Sequence, residues 1–149
     1  MANIPQIVDE LVKKFGTKNP FEICKHLNIE VLRVYLPSNI NGFFRNNCGD
    51  KCVFLSKSLS SKKAEFCCAH ELGHALLHDK LNSIFLSSDT YFCTEKFENE
   101  ADTFAAYLLF DDAEKLYDRL GLRTADEIAN YYNIDKKTFT LRYEKSFKS

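Results

Sequence analysis

Residues 67–78 read CCAHELGHALLH and contain His70-Glu71-Leu72-Gly73-His74. This pattern constrains the fold because it is useful only on a helix. There, residues four apart share one face, so His70 and His74 can reach the same cation. Glu71 lies about 100° further round the axis and is poorly placed as a third ligand from the same helix. It is well placed to act as general base on a water beside the cation. A catalytic zinc takes three protein ligands and leaves the fourth position to water. A second element must therefore pack against this helix and bring the missing ligand. The long stretch SLSSKKAEFCCAHELGHALLHD supplies the helix, with Ser60 or Ser61 as its cap. Gly73 weakens a helix interior by about 1 kcal/mol relative to alanine, so its presence predicts that something packs close there.

The second element is EKFENEADTFAAYLLF. Its apolar residues Phe97, Ala101, Phe104, Ala105, Leu108 and Leu109 define an inward arc on a helix. Of its acids Glu95, Glu98, Glu100 and Asp102, the pair Glu98 and Asp102 are four apart and border that arc. An inward-facing carboxylate is costly unless it is paired or bound to a metal. This makes Glu98 the expected third ligand. Asp102 is then the carboxylate that takes the free ring N–H of a zinc-bound histidine and fixes its tautomer. Glu100 falls nearly opposite Glu98, beside Thr103 and Tyr107. It is read as a solvated surface residue and as the fallback ligand. His78 continues the histidine face one turn on; it could be a further ligand, but a site served by His, His and Glu does not need it, and a structural hydrogen-bonding role is the expectation.

The flanking sequence organises around these two helices. IPQIVDELVKKFG carries a helical stripe, Ile4, Ile7, Val8, Leu11, Val12 and Phe15, closed by Gly16. NPFEICKHLNI starts a second helix with Asn19 as N-cap and Pro20 in its first turn. EVLRVYLP alternates as a strand. NGFFRNNCGDKCVFLS reads as a hairpin with its turn around Asn47 to Asp50. Residues 79–94 form a less regular connection. DDAEKLYDRLG and TADEIANYYNID are short helices, and TFTLRYE is either a strand or a last helical turn. The expected class is α+β, with helices flanking a small antiparallel sheet.

With 149 residues, 45% of them hydrophobic, the chain suits one domain with a packed core. A net charge of −1 argues against direct electrostatic grip on nucleic acid. No stretch reaches the roughly 20 apolar residues of a membrane span. The N-terminus lacks the basic start and apolar run of a signal peptide, so a cytoplasmic location is expected. In that compartment the cysteines Cys24, Cys48, Cys52, Cys67, Cys68 and Cys93 are expected as reduced thiols. Cys48 and Cys52 could form half a metal site, but no matching second pair follows.

HELGHALLH followed by ENEADTFAAYLL resembles the ImmA/IrrE family of metallopeptidases. NPFEICKHLNIEVL and GFFRNN…CVFLSKSLS are similar to that family too, so the likeness covers about residues 5–110. The resemblance implies a zincin-like core with Zn2+ on His70, His74 and Glu98, Glu71 as base, and Asp102 behind a histidine. Residues from about 111 to 149 then form a C-terminal helical portion of a single zincin-like domain spanning 1–149. The family's activity implies site-specific cleavage of a helix-turn-helix transcriptional repressor, in mobile elements, prophages or stress responses. Members often have Asn where Asp102 stands, and LLMP where this chain has LLFDD. Two other classes compete. One is a zinc-bearing regulatory or antitoxin-like module that binds a repressor without cutting it. The other is a metal-free interaction protein. Tyr91, Tyr107 and Tyr131 are among the candidates for oxyanion stabilisation. The GFFRNN or CVFLSK strand could align an extended peptide by strand addition.

Overall fold

The computed structural model describes residues 3–78 and 91–147, with side chains from residue 95 in the second stretch. The irregular connection expected over 79–94 lies outside the described residues as far as 90, and from Tyr91 the chain is already helical.

Helix α1 (Ile4–Phe15) begins at Asn3, whose side chain accepts the Gln6 N–H, and ends at Gly16. It buries Ile4 and Val8 and sets the rest of its stripe against the core. Helix α2 (Pro20–His26) starts as the sequence predicts: the Asn19 carboxamide oxygen accepts the N–H groups of Phe21 and Glu22 at 2.9 and 3.4 Å.

Strands β1 (Ile29–Val34), β2 (Gly42–Asn47) and β3 (Asp50–Ser56) form a sheet in the order β1-β3-β2. β2 and β3 are the expected antiparallel hairpin, with Asn47 opposite Asp50. Cys48 and Gly49 make its two-residue loop, both with positive φ, 53° and 94°. This is the backbone of a primed turn, whose twist matches the flanking strands. The Asn46 side chain accepts the Gly49 N–H at 2.9 Å and braces the loop.

The sheet is mixed rather than antiparallel throughout, because β1 pairs parallel to β3, Ile29 facing Lys51 and Val34 facing Ser56. The reason is burial. Val53 and Leu55 of β3 are fully buried, so the most apolar strand takes the centre and the hairpin inserts it beside β1. β3 is therefore paired on both sides, which excludes CVFLSK as a peptide-accepting edge. β2 remains an edge strand.

Helix α3 (Ser61–Leu77) is capped by Ser60, whose hydroxyl accepts the Lys63 N–H. Helix α4 (Tyr91–Leu109) packs against α3 more extensively than any other pair of elements does among the described residues. Ala64, Cys68, Ala69, Leu72 and Ala75 of α3 meet Phe104, Ala105 and Leu108 of α4 in the main core.

Helices α5 (Ala113–Leu120), α6 (Ala125–Tyr132) and α7 (Lys136–Tyr143) follow, so TFTLRYE is helical. They bury Leu116, Ile128 and Tyr143 with Ala106 and Phe110 in a second cluster at the end of α4. The FDD exit ties this cluster to the rest. Asp112 caps α5, and the Asp111 carboxylate pairs with Lys18 at 3.0 Å. The Asp111 N–H donates to the Tyr132 hydroxyl, and its carbonyl accepts from Tyr143 at 2.7 Å. No helix of the described residues is long and apolar enough to cross a membrane.

Candidate metal centre

The centre forms where α3 and α4 cross. His70 lies beside Asp102, His74 beside Glu98 and His78 against Phe97. Partner numbers fall along α4 as they rise along α3, so the two helices run in opposite senses. Gly73 allows the contact. A Cβ built on it would lie 3.2 Å from Cβ and Cδ1 of Phe104 and 3.3 Å from the Ala101 Cα. The close packing predicted from this glycine is the Phe104 side chain together with the α4 backbone at Ala101.

His70 and His74 bring their Nε2 atoms within 3.1 Å of each other. The Glu98 carboxylate faces both, Oε2 at 3.0 Å from His70 Nε2 and Oε1 at 2.9 Å from His74 Nε2. On the other side of the His70 ring, Nδ1 is 2.7 Å from Asp102 Oδ1. Asp102 accepts, so this ring carries its proton on Nδ1 and leaves Nε2 for the centre.

Glu71 is buried, and its carboxylate lies 4.0 Å from His70 Nε2, further than Glu98. The Phe44 backbone N–H of β2 donates to it. That bond depends on β2 lying close over α3. A Cβ on Gly42 would come within 2.5 Å of the Phe54 carbonyl oxygen and 2.9 Å of Cys67 Sγ. Nothing in the residue pattern announces the Phe44 contact, because a backbone amide carries no sequence signature.

The electrostatics follow from this crowding. Burial lifts the Glu71 carboxyl above its ordinary range, Glu98 adds to the rise, and the histidines and the Phe44 amide oppose it. Burial works against a charged His70, but Asp102, Glu98 and Glu71 outweigh it and raise its pKa to about 10. Hydrogen bonds to His70 and His74 hold Glu98 well below the usual carboxylate range. Two imidazole lone pairs and a carboxylate thus converge on one point and need positive charge there. His, His and Glu are also a donor set that suits a first-row transition metal, so the residues fit a metal ion.

Glu100 is not the solvated residue its helical phase suggests. Its side chain is 22% exposed, with Oε1 3.4 Å from His78 Nε2. The phase puts it on the flank of the buried stripe opposite Glu98, and His78, the buried C-cap of α3, closes against that flank. His78 also places Nδ1 3.0 Å from His74 Nδ1. Burial, with His74 beside it, lowers the His78 pKa and favours the neutral ring.

Of the tyrosines considered for oxyanion stabilisation, Tyr107 packs under the Arg142 guanidinium and Tyr131 against Tyr132. The side chains of Tyr91 and Cys93 lie outside what is described. Cys24 and Cys68 face each other in the core with Sγ atoms 4.0 Å apart, while Cys48 is exposed in the hairpin turn.

The model of the Peptidase_M78 family, described as the IrrE N-terminal-like domain, matches residues 24–144. The chain belongs to this family. The match includes both site helices and the C-terminal helices through α7. One relative of this Peptidase_M78 chain is "Uncharacterized immunity region protein 2" of Bacillus phage phi105. It is 38% identical over 109 residues, which is 73% of this chain and 69% of the relative. Another is "Metallopeptidase ImmA" of Bacillus subtilis (strain 168), 29% identical over 130 residues, 85% of this chain and 76% of the relative. Family and relative together make this a metallopeptidase-type chain. Among solved structures, a "Mycobacterium tuberculosis transcriptional regulator" shares the fold with a TM-score of 0.64 at 16% identity. The match covers 95% of this chain, which spans 46% of that longer one.

Proposed function

We propose that this chain is a zinc-dependent endopeptidase of the cytoplasm that cleaves a helix-turn-helix transcriptional repressor. One observation carries the reading: the Glu98 carboxylate bridges the Nε2 atoms of His70 and His74 beside a buried Glu71. His70, His74 and Glu98 are the residues that would hold zinc, and Asp102 orients His70. Zinc, when bound, supplies Lewis acidity for water activation and carbonyl polarisation.

Glu71 is the general base. It takes the proton of the attacking water and passes it to the leaving amine. Its pKa, raised by burial, favours return of the proton to the leaving amine. The Phe44 N–H keeps one side of the carboxylate engaged and fixes its orientation. β2, an edge strand touching Glu71 through that amide, suits an extended peptide added by strand pairing. The immunity-region name of the phage relative and the metallopeptidase name of the Bacillus subtilis one support a repressor as the protein substrate.

The test combines metal analysis with a cleavage assay against helix-turn-helix repressors from the source genome. Glu71→Gln is expected to keep stoichiometric zinc and lose cleavage, and Glu98→Ala to lose zinc. Wild-type protein that holds no stoichiometric metal at neutral pH refutes the reading, as does cleavage at the normal rate by Glu71→Gln.

A further inference from the structure

The histidines of α3 make a continuous series of contacts, of which the reading above uses the first two. His78 is 5% exposed, and its ring lies against Phe97 with centroids 4.4 Å apart. Its two nitrogens are both engaged, Nδ1 with His74 Nδ1 at 3.0 Å and Nε2 with Glu100 Oε1 at 3.4 Å. The metal-binding pattern itself requires neither residue.

We propose that His78 and Glu100 are positioning residues that hold His74 in the tautomer presenting Nε2 to the metal. The inference rests on the zinc reading of the site. An imidazole that gives Nε2 to a cation keeps its proton on Nδ1. The His74 Nδ1–H then donates to His78 Nδ1, which must be the bare nitrogen. The His78 proton is consequently on Nε2, and it donates to Glu100. Glu100 makes the choice, because an ionised carboxylate only accepts. The opposite His78 tautomer sets two N–H groups against each other at 3.0 Å and leaves a bare nitrogen facing the Glu100 carboxylate.

The arrangement parallels that of His70, whose Nδ1–H goes directly to Asp102 at 2.7 Å. α4 thus supplies the ligand Glu98 and a carboxylate for each histidine. Asp102 acts by contact, and Glu100, on the far flank of the buried stripe, acts through His78. Groups that orient metal-bound histidines in this way are typically worth about 10- to 100-fold in metal affinity.

The experiment measures zinc affinity by chelator competition for wild type, His78→Phe, Glu100→Ala and Glu100→Gln. It also measures melting of the zinc-free proteins and reads histidine tautomers in the zinc-loaded wild type by long-range 1H–15N NMR. Phe keeps the ring packing against Phe97, so zinc-free melting should hold. His78→Phe and Glu100→Ala are expected to weaken zinc binding about 10- to 100-fold. Glu100→Gln, whose amide oxygen still accepts, should recover most of the loss. The wild-type spectrum should show His78 protonated on Nε2. Should His78→Phe not fold, Glu100→Ala and the spectrum still decide. A wild type that binds zinc alongside variants that bind it equally tightly overturns the relay alone, as does a His78 protonated on Nδ1. A wild type that binds no zinc overturns the metal reading and the relay with it.

Discussion

Gly73→Ala separates helix propensity from site geometry. In an isolated helix the change stabilises by about 1 kcal/mol. Here the new methyl would sit 3.2 Å from two atoms of Phe104 and 3.3 Å from the Ala101 Cα. Carbon atoms pack at about 3.5–4.0 Å, so the interface must open by roughly 0.3 Å or more. Phe104 is fully buried and cannot swing aside, and the Ala101 atom is backbone. Overpacking of this kind typically costs about 1–3 kcal/mol. The net expectation is a loss of about 0–2 kcal/mol, the overpacking less the propensity gain. The site should suffer more than the fold. The His70–Asp102 and His74–Glu98 contacts, 2.7 and 2.9 Å, span this same interface and lengthen when it opens. Zinc affinity is expected to fall on the order of tenfold. Urea denaturation of metal-free protein gives the first quantity and chelator competition the second. A variant about 1 kcal/mol more stable than wild type, with unchanged zinc affinity, would show that the interface yields freely and that the argument is wrong.

Gly42→Ala should be harsher, about 2–3 kcal/mol destabilising, since its methyl would meet the Phe54 carbonyl oxygen at 2.5 Å; cleavage should drop beyond the stability loss because β2 carries the amide held by Glu71. Tyr143→Phe removes the donor to the Asp111 carbonyl and should lower the unfolding free energy by about 1–2 kcal/mol, read by urea titration, with zinc affinity unchanged. The Asp111 carboxyl is disfavoured by burial, yet Lys18 and neighbouring cations bring its pKa below the ordinary value. A carboxyl lowered in the folded state stabilises above its unfolded pKa of about 3.9 and loses that contribution as pH falls through the folded value. Lys18→Met should therefore cost about 0.2–1 kcal/mol at pH 7 and progressively less in acid, so a deficit that grows on acidification would contradict the pairing.

Much of this site was legible because helical periodicity is written directly in residue order. His70 and His74 share a face at four-residue spacing, and the phase of the α4 apolar stripe pointed to Glu98 and Asp102, which do lie against those histidines, but it misjudged exposure: Glu98 is 49% exposed and Glu100 only 22%. The cap at Asn19, the cap of α3 to within one serine, and the hairpin turn were readable for the same local reason. The class α+β followed from these elements, but the strand order did not. β1 and β3 pair across intervening chain, and relative burial, a property of the whole core, places β3 in the centre.

By itself the sequence determined which groups could chelate and which helix faces would carry them, because side-chain chemistry and the 3.6-residue repeat are local. Only tertiary packing decided where those faces meet and what stands behind each histidine. It set the Phe44 amide on Glu71 through the closeness of β2 to α3 at Gly42. It also turned Glu100 from a surface acid into the partner of His78. Both contacts join residues from separate elements, and their distances depend on how nearly two backbones can approach.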